Sequence, residues 1–72
     1  MKKWVVSKER YKEMLDKNGV NTAFVCRETG IPDNLISQWL SDESRNIGLD
    51  TAKKLADFFN TSIEYLLVQK EV

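Results

Sequence analysis

Residues Asn21–Leu40, NTAFVCRETGIPDNLISQWL, decide how this chain folds. They read as a short helix, a tight turn at Gly30 and a second short helix. Val25, Cys26 and Ile31 supply one side of an apolar seam, and Ile36 and Trp39 supply the other. Side chains three and four apart on a helix are neighbours, so Asp33, Asn34, Ser37 and Gln38 form one polar strip on the outer face. Asn21 suits an N-cap, and Val20 and Val25 occupy the two positions of a hydrophobic staple. Pro32 is expected at the first helical position, where its preset φ costs no hydrogen bond, and Asp33 in the first turn, where negative charge is favoured. Cys26 reads as a small hydrophobe that lets the helices approach.

The flanking residues continue the helical pattern. Ser7 is a good N-cap for a first helix with Tyr11, Met14 and Leu15 on its apolar face and Gly19 to close it. In the third helix, Leu35, Ile36, Trp39 and Leu40 form the inward stripe. Ser41–Gly48 is a polar loop in which Arg45 and Asn46 stand beside the opposing charges of Asp42 and Glu43. Leu49, Ala52, Leu55, Ala56 and Phe59 mark a fourth helix, which Asn60 ends. Ser62 caps a short fifth helix that turns Ile63, Leu66 and Leu67 inward. The expectation is an all-α fold: a compact five-helix bundle over residues 7–68, with an extension at 1–6 and a tail at 69–72, the last residues VQKEV (68–72) fraying. Trp4, Val5 and Val6 either cover part of the core or pair with another chain. Phe24 fits the seam poorly and is assigned to satellite packing, against Trp4 or Val5, or to a partner.

Composition narrows the function. Seventy-two residues make one domain, and such a chain buries only about 60% of the surface its unfolded form exposes. No apolar run approaches the roughly 20 residues of a membrane helix, and Trp4-Val5-Val6 is too short for the core of a signal peptide. The expected compartment is the cytoplasm, with no membrane partner. One cysteine and no histidine leave no disulfide, no metal site and no base for a cysteine nucleophile, so neither an enzyme nor a cofactor is expected. Net charge is zero, which is unusual for a nucleic-acid binder. Residues 1–31 nevertheless carry seven basic and four acidic side chains, whereas residues 32–72 carry four basic and seven acidic ones. That split arises by chance in small domains or marks a phosphate-facing half.

A helix with one buried face and a row of small polar side chains on the other can enter a DNA major groove. The chain resembles the lambda-repressor-like, Cro/repressor-type helix-turn-helix family from about Lys8 to Leu67. Val25-Cys26, Gly30-Ile31, Ile36 and Trp39 carry the resemblance in the motif, and LDTAKKLADFFNTSIEYLL is similar to the family's closing helices. The resemblance implies a sequence-specific regulator that binds operator DNA, often as a homodimer and often of phage or mobile-element origin, in a bacterial or phage-infected cell. It implies base contacts from Asp33, Asn34, Ser37 and Gln38, and a phosphate contact from Thr22. Arg27, Arg45 and Asn46 are further phosphate candidates from their places beside the motif. The chain departs from the family in having Thr22 where glutamine is usual, Thr29 where a large apolar residue is usual, and no arginine or lysine on the third helix. Asn34 and Gln38 can pair bidentately with adenine, whereas this helix has no arginine with which to read guanine. The alternative reading is a protein-interaction module on the same fold, with zero net charge, Phe24 and Trp4-Val5-Val6 in its favour.

Overall fold

The computed structural model describes residues 2–42 and 44–71. Glu43, one of the two acids expected to oppose phosphate in the loop, lies outside them. Five helices follow one another: α1 (Lys8–Asn18), α2 (Thr22–Thr29), α3 (Asp33–Ser41), α4 (Leu49–Phe58) and α5 (Ile63–Leu66). They are preceded by β1 (Lys2–Val6) and followed by β2 (Leu67–Glu71). The two strands pair antiparallel, with Lys2 opposite Glu71 and Val6 opposite Leu67. The all-α expectation is therefore corrected, and the expected fraying of the last residues with it. The reason is physical: five-residue strands carry too short an alternation to be told from irregular chain, and their pairing joins opposite ends of the sequence.

Caps set the helix boundaries. Ser7 accepts a hydrogen bond from the Arg10 N–H at 3.2 Å, while its own N–H donates to the Leu66 carbonyl at 2.7 Å. One buried serine thus starts α1 and ties it to the base of the strand pair. Gly19 ends α1 with φ of 65°, and Gly30 ends α2 with φ of 79°, conformations that a side chain disfavours. Asn60 takes the left-handed conformation after α4. Asn21 accepts from the Phe24 N–H at 2.9 Å. Pro32 is not the first helical residue; its ψ of 133° makes it the N-cap, and Asp33 begins α3. Its ring fixes φ but leaves ψ free, so the helix starts one residue later than φ alone implies. Ser62 occupies the N-cap of α5 without a side-chain cap bond.

The core gathers Tyr11, Met14, Val25, Cys26, Ile31, Ile36, Trp39, Ala52, Leu55, Ala56, Phe59 and Leu66, with Val6 entering from β1. Tyr11 meets Trp39 edge-on at 5.4 Å and Phe59 at 6.2 Å. Two residues of the expected inward stripes are exposed instead: Leu35 at 37% and Leu49 at 65%. Helical spacing says which side a residue shares, but not whether another element covers it. Phe24 packs on Phe58 at 6.0 Å rather than on Trp4 or Val5, and Arg27 lies over its ring. Thr29 contributes through its polar group. Its hydroxyl donates to the Val25 carbonyl at 2.7 Å and accepts from the Ile31 N–H at 3.3 Å, closing α2 into the turn.

Trp39 is fully buried, and no described acceptor reaches its indole Nε1. Ring packing, not the N–H, holds it. Trp39→Phe keeps the aromatic contact and removes a buried donor, so its stability should lie within about 1 kcal/mol of the parent, whereas Trp39→Ala should lose about 3–5 kcal/mol. Urea unfolding of the two variants checks this.

Candidate nucleic-acid interface

The turn between α2 and α3 leaves the outer face of α3 uncovered. Ile36 and Trp39 are buried in the core, and the 3.6-residue period then turns Asn34, Ser37 and Gln38 outward, where all three are exposed. None of these three side chains makes a hydrogen bond within the described residues. Arg45 and Asn46 share an open cleft with Asn34 and Gln38, floored by Trp39 and walled by Ile47 and Gly48. The loop after α3 therefore brings two of the expected phosphate-contacting residues alongside two of the expected base-contacting ones.

Asp33 is exposed as well, but its carboxylate lies close to the buried Cys26 thiol. Burial pushes the thiol above its ordinary range, and the nearby Asp33 carboxylate pushes it further. Asp33 thus borders the α2–α3 seam, while Asn34, Ser37 and Gln38 stand clear of it.

Thr22 opens α2 half-buried, and its Oγ1 lies 2.8 Å from the Tyr11 hydroxyl. The Tyr11 ring is fully buried, and burial raises its pKa while the Thr22 hydrogen bond partly offsets the rise. When Tyr11 donates, the Thr22 hydroxyl keeps its own proton for an outside acceptor. Sequence reasoning placed Tyr11 in the core and missed this bond, because eleven residues separate the partners.

The basic side chains are tied more closely to the protein than their sequence positions imply. Lys8 Nζ donates to the Asp42 carbonyl at 2.9 Å, at the negative end of the α3 dipole. Arg10 Nη1 donates to the Tyr65 carbonyl at 2.6 Å and lies over the Tyr65 ring. Arg27 lies over Phe24 at the α2–α4 side. Arg45 Nε is 3.5 Å from the Asp42 carboxylate, an exposed pair of little energetic weight. Hydrogen bonds from Ser44 hold the Asp42 carboxyl below its usual range, with Arg45 and Lys8 assisting.

A short helix, a glycine-closed turn and a second helix whose outer face carries free polar groups define a helix-turn-helix. The chain belongs to the Cro/C1-type HTH DNA-binding domain family, whose pattern matches residues 10–70. No curated protein and no solved structure matches it. Membership makes it a DNA-binding domain, and no helix among the described residues is long and apolar enough to cross a membrane.

Burial and a raised pKa leave the Cys26 thiolate scarce, and the thiolate is the reactive form. A chromogenic disulfide reagent at mildly alkaline pH should label the native protein far more slowly than the urea-unfolded chain. Equal rates would show that the α2–α3 seam is open.

Proposed function

We propose that the protein is a sequence-specific transcriptional regulator of the phage or mobile-element repressor type, which inserts α3 into the major groove of an operator and works as a homodimer. The observation that carries this is the exposure of Asn34, Ser37 and Gln38 on one face of a helix whose other face is locked by Ile36 and Trp39. Asn34 and Gln38 read adenine through paired amide hydrogen bonds, each worth about 1–3 kcal/mol of discrimination. Ser37 contacts an adjacent base edge, and Asp33, at the start of α3, accepts from a cytosine amino group.

Thr22 donates to a phosphate oxygen at the positive end of α2, with Tyr11 holding its hydroxyl in place. Arg27, Arg45 and Asn46 supply the remaining backbone contacts. Phosphate contacts fix register without carrying sequence information. With no cation on α3 and few basic side chains nearby, affinity should fall with salt less steeply than is usual for DNA binders. A single domain then binds weakly, and two copies on two half-sites about 34–36 Å apart supply the missing affinity.

A protein-interaction module is the second reading, favoured by the zero net charge and by Trp4, which is 59% exposed. Selection from a randomised duplex pool at low salt, repeated at raised salt, separates the two. The regulator enriches one motif with two similar halves, whereas the module enriches none. On the selected duplex, Gln38→Ala should cost about 1–3 kcal/mol at one base position and relax preference there. Thr22→Ala should weaken all duplexes alike. The regulator reading fails if both variants bind as the parent does.

A further inference from the structure

Leu35 is a large apolar side chain of α3 that the core does not take up. It is 37% exposed, whereas Ile36 and Trp39 on the same helix are buried. A lone exposed leucine needs no explanation, but the place of this one is informative. Leu35 lines the same open cleft as Asn34, Gln38, Arg45 and Asn46. Gln38 is its i,i+3 neighbour, and a turn of 100° per residue sets the two about 60° apart around the helix axis. The outward face of α3 is therefore not polar throughout. Around the axis it runs Ser37, Asn34, Gln38, Leu35, so a strip of hydroxyl and amide groups ends in an apolar edge. Trp39 and Ile47 add apolar surface to the cleft at that edge, and no acidic side chain among the described residues lines it.

The major groove presents one apolar group of matching kind, the C5-methyl of thymine. An A·T pair shows that methyl in the same groove as the adenine N7 and N6 amino group, the pair of atoms that a side-chain amide can bond. A glutamine seated on adenine thus brings its i,i+3 neighbour to the methyl of the same pair or of the next one. We propose that Leu35 is a specificity-determining residue that packs on a thymine methyl. Leu35 and Gln38 then recognise an A·T step together, one by apolar contact and the other by hydrogen bonds. The inference rests on the regulator reading above and deepens it. It names one feature of the operator: a fixed thymine in each half-site, at or beside the adenine that Gln38 reads.

Deoxyuridine in place of thymine removes the methyl and leaves base pairing intact. Each thymine of the selected duplex is replaced in turn, and the affinity of the full chain is measured by fluorescence anisotropy at low salt. One position per half-site should weaken the parent ~3–5-fold, the worth of about one buried methyl. Leu35→Ala should bind the all-thymine duplex less tightly by a similar factor and lose nothing further at that position. Leu35 lies outside the core cluster and alanine favours a helix, so far-UV circular dichroism should match that of the parent. The replacement series on the parent needs no variant and is a test by itself. A selected site with no fixed thymine, a parent indifferent to every replacement, or a Leu35→Ala chain that keeps every loss of the parent overturns the proposal. If the selection enriches no duplex, the regulator reading falls and this inference falls with it. If it enriches one and no thymine methyl acts through Leu35, the regulator reading stands and this inference alone falls.

Discussion

Tyr11 is fully buried, and its ring and hydroxyl together touch three other parts of the domain: Trp39 on α3, Phe59 just past α4, and Thr22 at the start of α2. Edge-to-face aromatic pairs add about 0.5–1.5 kcal/mol each beyond the area they bury. In a chain this short such increments form a large part of a small total. Their position matters as much as their size. Trp39 and Ile36 are fixed inward by this cluster, and the helical period then determines what faces outward. The interior therefore sets the exposure of Asn34, Ser37 and Gln38.

Local signals explain most of what the sequence made legible. Ser7, Gly19, Asn21, Gly30 and Asn60 act within a few residues of themselves, and each occupies the cap or turn expected of it. The outer strip of α3 follows from spacing alone. Where expectation and structure part, the deciding contact is distant. The strand pair joins residues 2–6 to 67–71, and no local pattern announces that. Leu35 and Leu49 have the spacing of core residues, yet both remain exposed. Thr29 looks like a gap in the apolar seam, but its hydroxyl bonds the turn together. The cleft that unites Asn34 and Gln38 with Arg45 and Asn46 depends on the path of the loop after α3, which composition does not encode.

Charge counting shows the same limit from another side. The excess of basic residues in the first half points toward phosphate, yet Lys8 and Arg10 hold helix ends together and Arg27 lies against an aromatic ring. Lys8 serves at the C-terminal end of α3, where a cation also favours the helix dipole. Asp42 offers its carbonyl to Lys8 and its carboxylate to Arg45 and Ser44, so its side chain is engaged within the loop.

These electrostatics bear on specificity. A domain without cations on α3 gains little from non-specific attraction to the duplex, since that attraction comes from displaced counterions. On the regulator reading proposed above, competition with the bulk of genomic DNA is correspondingly mild, and a larger share of the binding energy rests on amide and hydroxyl contacts that differ between bases. Such contacts are individually modest, so discrimination accumulates only when several are made at once in a fixed geometry. On the homodimer reading proposed above, the neutral charge moves the requirement for affinity from phosphate attraction to the joining of half-sites, where an effective local concentration takes the place of long-range charge.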